Sequence, residues 1–177
     1  MKLNLTKDIC FFDVEATGLN ILRDRIVQLG VIKIKADGSP DETLNLLINP
    51  GMVFISQEAY EVHGISAKDV ANKPTFDKLA QQIYDFFGDA DLAGYNSNRF
   101  DIPMLMEEFA RAGVDFDIES RRLIDVQRIF YKMEPRTLAA AVKFYCNKEI
   151  VNAHDAMADV QATIDVFKGQ LERYKDM

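Results

Sequence analysis

The hydrophobic spacing of this chain changes once, near residue 76, and that change decides what it can fold into. Ahead of it, apolar residues come in short runs and period-two alternation, over residues 9–15 (ICFFDVE), 26–34 (IVQLGVIKI) and 43–48 (TLNLLI). Gly18, then Asp37-Gly38 with Pro40, then Pro50-Gly51 break these runs, which predicts three strands in an antiparallel meander. Beyond it, Phe76, Leu79, Ala80, Ile83, Phe86 and Phe87 share one face of a helix that Gly88 ends. Further helices are expected over residues 56–62, where Gly64 suits a left-handed cap, and over 102–112, with Pro103 tolerated in the first turn. Two more follow over 127–133 and 137–145, and a last one carries Val160, Ile164, Phe167, Leu171 and Tyr174 at spacings of three and four. Residues 91–95 and 123–126 read as short buried strands. A meander followed by alternating strands and helices predicts an α/β fold on a mixed sheet, and with no repeat or linker a single domain over residues 1–177.

Several function classes fall away on composition. Charged side chains interrupt every apolar run before the roughly 18 to 20 residues that a membrane helix needs, so no membrane association is expected. No apolar leader precedes the first strand, and Cys10 and Cys146 are remote and unpaired by motif, which predicts buried thiols in a reducing, cytoplasmic setting. No GxxxxGK[ST] or GxGxxG is present. Asp115, Asp117 and Glu119 imitate the start of a calcium loop, but its sixth position is Ser120 rather than Gly. The net charge of −7 disfavours a non-specific duplex binder. Positive charge is concentrated in Arg121, Arg122, Arg128, Lys132, Arg136, Lys143 and Lys148, which form either a solvated helix face or a phosphate-contacting surface.

Three acidic stretches carry the chemistry. Asp13 and Glu15 stand two apart on a strand, so both carboxylates leave one face; beside a core this demands a proton or a cation, and on a solvent-facing edge it costs little. Asp101 follows Asn98-Arg99-Phe100 at a helix start, where an Asp is ordinarily a cap or a partner of the helix dipole. In residues 152–159 (NAHDAMAD), Asp155 is a natural N-cap, His154 could be a surface imidazole, and Asp159 falls one turn further in, as a solvated acid when taken alone. Taken together, acids at the ends of three elements with one His suit hard Mg²⁺ or Mn²⁺ and a two-metal phosphoryl site.

In order and separation these stretches resemble the motifs of the DnaQ-like, DEDDh-type 3′-to-5′ exonucleases, of the DNA polymerase III epsilon-like proofreading kind, on the ribonuclease H-like fold. Residues 12–18 (FDVEATG) are similar to the first motif, 98–101 (NRFD) to the second and 154–159 (HDAMAD) to the third. The resemblance implies a mixed five-stranded sheet flanked by helices, with its first three strands antiparallel. It implies two divalent cations held by Asp13, Glu15, Asp101 and Asp159, with His154 as general base, and release of nucleoside 5′-monophosphates from single-stranded DNA or RNA 3′ ends. Thr17, Gly18 and Leu19 would meet the terminal nucleotide, His63 would contact or frame it, and Phe100 would offer an aromatic surface to a base. Where many members carry an Asn four residues before the second-motif Asp, this chain has Ser97 between Asn96 and Asn98. A DNA polymerase is an implied partner; the chain stops soon after its last helix, which suits a free-standing exonuclease or a proofreader with minimal attachments. Dimerisation occurs in several relatives, but no exposed apolar stripe in this sequence calls for it. Two other readings stand beside this one: a non-catalytic nucleic-acid or polymerase-binding module, and an oligoribonuclease-like enzyme acting on short RNA.

Overall fold

Alternation in the first third of the chain becomes register in the computed structural model, which describes residues 4–150 and 155–175. The chain forms two compact units, one ending at Gln127 and one beginning at Arg128. In the first, β1 (Ile9–Ala16), β2 (Ile26–Ile34) and β3 (Glu42–Leu47) are the predicted antiparallel meander. Adding β4 (Asp91–Gly94) and β5 (Leu123–Asp125) in parallel gives a mixed five-stranded sheet of order β3-β2-β1-β4-β5.

Period two sends Cys10, Phe12, Val14 and Ala16 to one face of β1, and Phe11, Asp13 and Glu15 to the other. The first face pairs with the matching face of β2, Phe12 opposite Val31 and Val14 opposite Leu29. Two helices cover it: α3 (Phe76–Phe87), which follows the short α1 (Gln57–His63) and α2 (Ala67–Val70), and α4 (Asp101–Arg111). Phe87 meets Phe12 edge-on at 5.5 Å, and Phe109 stacks on Phe116 at 4.6 Å. Such aromatic pairs contribute about 0.5–1.5 kcal/mol each beyond the area they bury. A carboxylate locks α4 to β2: Glu108, 1 % exposed, accepts from Arg25 Nε at 2.8 Å, Arg25 Nη2 at 2.9 Å and the Ile26 N–H at 3.0 Å. At the start of α1, the Ser56 hydroxyl accepts the Ala59 N–H; at its end, Gly64 adopts the left-handed cap its position predicted, φ 71°.

The cationic segment divides differently from either reading. Arg121 spends its guanidinium on the carbonyls of Gly88, Ala90 and Asp117 and lies over the Phe116 ring. Arg122 pairs with buried Asp91 at 2.7 Å. These two therefore brace the β4–β5 end of the sheet through their guanidinium groups.

α5 (Val126–Met133) leads out of β5, and the second unit continues with α6 (Leu138–Cys146) and α7 (Ala156–Arg173). Thr137 caps α6 and Asp155 caps α7, the latter as the sequence predicted. Against the apolar row read from the sequence, α7 buries Ala162 and Val166 beside Val142, while Val160, Ile164, Phe167, Leu171 and Tyr174 stay exposed. Small residues decide this contact. Gly169 faces Tyr145 so closely that an added Cβ would come 2.9 Å from the Tyr145 carbonyl oxygen.

Candidate active site

Asp101 has a different task from the helix cap its position allows. The N-cap position is Phe100, which makes no side-chain cap bond, and the Asp101 carboxyl is 4 % exposed and directed at β1. Its Oδ1 accepts the Val14 N–H at 3.0 Å, between the two acids of β1. Burial pushes its pKa up to about 6; the Val14 N–H opposes the rise, and the charges of Asp13 and Glu15 add to it. Burial raises Asp13 as well. Glu15 is raised by burial and then by Asp13, with His63 opposing.

These three carboxylates line one cleft of about 510 Å³, together with Leu19, Ile21, Tyr95, Asn96, Arg99 and Phe100. A neighbouring pocket of about 360 Å³ shares Glu15, Leu19 and Phe100 and is otherwise walled by Ala16, Gly18, Ser56, Glu58, Ala59, Val62 and His63. Leu19 stands 84 % exposed at the border of the two, which leaves an aliphatic surface free beside the acids.

Thr17 and His63 shape this border by binding protein groups, and Gly18 by packing closely on Asp24. Thr17 is fully buried; its hydroxyl donates to Asp24 Oδ1 at 2.8 Å and accepts the Arg25 N–H at 3.0 Å. Its backbone is also used, the N–H by the Arg25 carbonyl and the carbonyl by the Ser56 N–H. Gly18 is required by crowding, because a Cβ there would lie 2.7 Å from Asp24 Oδ2. His63 Nδ1 accepts the Ile65 N–H at 3.0 Å, so the proton of a neutral ring sits on Nε2, 3.1 Å from the Ala16 carbonyl that accepts it. His63 thus frames the pocket by tying the end of α1 to the end of β1.

Asp159 is half-buried in the first turn of α7, in the second unit. His154 lies outside the described residues. Among the described residues, no three acidic, histidine or cysteine side chains are arranged to hold a metal ion. In donor type the cleft fits a hard divalent cation, since its acids are all oxygen ligands gathered on one cleft wall. In donor number it needs more than these three.

Sequence reasoning passed over Asp125, which ends β5 and holds the loop leading to Asp101. A signal was present: an acid at the carboxyl end of a buried strand, where α/β sheets gather their functional groups.

Residues 10–167 match the family model described as Exonuclease. Among similar proteins, a PolC-type DNA polymerase III of Caldanaerobacter subterraneus subsp. tengcongensis is 25 % identical over 98 % of this chain, which spans 12 % of that protein. The DNA polymerase III subunit epsilon of Escherichia coli K12 is 25 % identical over 94 % of this chain and 72 % of its own length. Among solved structures, a product-bound exonuclease I superposes with a TM-score of 0.64 at 22 % identity, over 95 % of this chain and 44 % of that one. The exonuclease I of E. coli in complex with a dT13 oligonucleotide gives 0.63 at 23 % identity, over 97 % and 43 %. These likenesses fix the fold as the ribonuclease H-like mixed sheet. With a family model covering the sheet, the acids of β1 and α4, and most of α7, the chain belongs to the exonuclease family.

Proposed function

We propose that the protein is a metal-dependent 3′-to-5′ exonuclease that removes nucleoside 5′-monophosphates from single-stranded nucleic acid. The observation that carries the reading is the buried Asp101 carboxyl, raised to about 6 and set against Asp13 and Glu15 in a cleft bordered by Leu19 and Phe100. Three clustered acids mark the place for cations, and the apolar border marks the place for a base.

The terminal base rests against Leu19 and Phe100, a sequence-tolerant contact of the kind that contributes about 1–3 kcal/mol per base. Gly18, in the wall of the neighbouring pocket, meets the nucleotide through its backbone. Asp13, Glu15, Asp101 and Asp159 are the residues that would hold two divalent cations, Mg²⁺ or Mn²⁺, which when bound stabilise the attacking and leaving oxygens of an in-line displacement. His154 accepts the proton of the attacking water, a task suited to an imidazole whose ordinary pKa is near 6.5. The new bond joins water oxygen to phosphorus, the bond from phosphorus to the 3′ oxygen breaks, and the shortened strand keeps that oxygen as its hydroxyl. The names of the epsilon and PolC relatives support a further proposal, that a DNA polymerase is a partner of this chain.

The test is a single-stranded oligonucleotide labelled at its 5′ end, incubated with Mg²⁺ or with excess chelator. The expected result is a ladder shortened from the 3′ end that needs metal, with Asp13→Asn and His154→Ala each slower by at least about 100-fold. Full activity in chelator, or wild-type turnover by Asp13→Asn, overturns the proposal. A strand retarded but never shortened identifies a binding module instead, and a strong preference for dinucleotides over longer RNA and DNA identifies an enzyme of short RNA.

A further inference from the structure

Asp125 ends β5 opposite Gly94 of β4, and it is 6 % exposed. Its Oδ1 accepts the N–H groups of Asn96 at 2.9 Å and Gln127 at 3.0 Å, and its Oδ2 accepts that of Asn98 at 3.3 Å. The loop gripped in this way joins β4 to α4 and is unfavourable on its own. Asn96 is left-handed, φ 61°, and the buried Ser97 Oγ and Asn98 Oδ1 have no hydrogen-bond partner among the described residues. Released, such a loop would turn those groups to water. The carboxylate holds it with charge-assisted bonds, stronger than those between neutral groups. The grip is then passed along the chain. Asn96 O accepts the Arg99 N–H at 3.2 Å, and Ser97 O accepts the Ile102 N–H at 2.9 Å, which fixes the first turn of α4 where Asp101 meets the Val14 N–H.

We infer that Asp125 is a positioning residue of the active site, holding Asp101 in the geometry that cation binding requires through the backbone of residues 96–98. The inference rests on the exonuclease reading above. Asp125 itself does not line the cleft, so it acts through the loop and not on substrate.

Asp125→Asn keeps the shape of the side chain but exchanges one acceptor oxygen for an amide nitrogen, which cannot accept a backbone N–H. Three readouts are expected to move together in the full chain. Hydrogen exchange at the Asn96 and Asn98 amides accelerates by at least about 10-fold. Mn²⁺ affinity, read by calorimetry without substrate, falls by about 10-fold or more, within the range known for outer-shell partners of metal ligands. Turnover falls by a similar factor, while KM for the oligonucleotide changes by less than about threefold. Asp91→Asn is the control: it removes a comparably buried carboxylate from the opposite end of the same strand pair, lowers stability through Arg122, and leaves Mn²⁺ affinity and turnover unchanged. If Asp125→Asn does not fold, Asp125→Glu, which keeps the charge and displaces the loop by a methylene, is read the same way. Unaltered Mn²⁺ affinity in the folded variant, or an equal loss in Asp91→Asn, overturns the inference. A wild-type chain that binds Mn²⁺ in an Asp125-dependent manner but shortens no strand overturns the exonuclease reading and leaves the positioning role standing.

Discussion

Replacing Asp101 by Asn should stabilise the metal-free protein while disabling it. The carboxyl is buried against Asp13 and Glu15, and its pKa stands at about 6 against an ordinary 3.8. At about 1.36 kcal/mol per unit, that rise corresponds to at most about 3 kcal/mol, and to about 1.5–2 kcal/mol once solvent screening in an open cleft is allowed for. The sign follows from linkage. Below pH 3.8 the group is protonated in both folded and unfolded chains, and its contribution is full; as pH rises towards about 6 the unfolded chain ionises freely, the folded one resists, and stability is lost. Above that window the folded protein carries the penalty. An Asn side chain is neutral throughout and still offers Oδ1 to the Val14 N–H, so only the charge is removed. Thermal unfolding in excess chelator should therefore show Asp101→Asn melting roughly 3–8 °C above wild type at pH 7.5, at about 2–4 °C per kcal/mol for a chain of this size. The gap should close as pH falls to 4. Adding Mg²⁺ at pH 7.5 should reverse the order by stabilising wild type alone. A gain of equal size at pH 4 and 7.5, or a loss of stability at pH 7.5, would refute the argument that uncompensated charge is what the cleft stores.

Glu108→Ala should cost about 3–5 kcal/mol in urea unfolding, because it leaves the Arg25 guanidinium and the Ile26 N–H without their buried acceptor; a cost under about 1 kcal/mol would show that water replaces the carboxylate. Gly169→Ala should destabilise the α6–α7 pair by about 1–3 kcal/mol, read as lost helix signal from a 128–177 segment or as faster exchange of α7 amides in the whole chain, since its Cβ would press on the Tyr145 carbonyl; unchanged exchange would contradict the close approach. Arg121→Ala should lower stability by about 1–2 kcal/mol and leave the salt dependence of oligonucleotide binding unaltered, because its donors are engaged by the carbonyls of Gly88, Ala90 and Asp117; a flatter salt slope would return Arg121 to the phosphate surface.

The parts of this molecule that were legible in its sequence are those set by neighbours a few residues apart. Strand alternation, the stripe of α3, the Asp155 cap and the Gly64 terminus each depend on one to four residues of local chain, and each appears within a residue or two of its expected place. The acid pair of β1 was legible for the same reason, since period two alone puts Asp13 and Glu15 on one face. What the sequence hid was decided by partners far along the chain. An Asp at a helix start looks like a cap; Asp101 became something else because the Val14 N–H, 87 residues away, was there to receive it. Arg121 and Arg122 looked like part of a cationic surface until carbonyls and Asp91 on β4 and its approach absorbed them. The sequence showed the row of large residues on α7 but not which face would pack, and small residues, by letting helices come close, selected the opposite one.

Asp125 and Asp101 together show why that hidden tier matters to function. On the proposed reading Asp101 meets a cation, so the protein leaves part of its carboxylate open and other groups build its neighbourhood at some cost in stability. Here three like-charged acids, a left-handed Asn96 and two orphaned polar atoms crowd around one loop. A sheet with free choice would relax such a region, and a cleft that relaxed would scatter its ligands. The fold prevents this by spending a second, fully bonded carboxylate, one strand removed, whose own charge is met by backbone N–H groups. An acid at the carboxyl end of β5 and one at the start of α4 thus take different conditions: Asp125 accepts three backbone N–H groups, whereas Asp101 accepts the Val14 N–H alone and keeps an oxygen towards the cleft. The pairing explains why neutralising Asp101 should stabilise the metal-free chain and neutralising Asp125 should not. A melting temperature that rises for both substitutions at pH 7.5 would mean that the two carboxylates share one electrostatic burden and that neither holds the other in place.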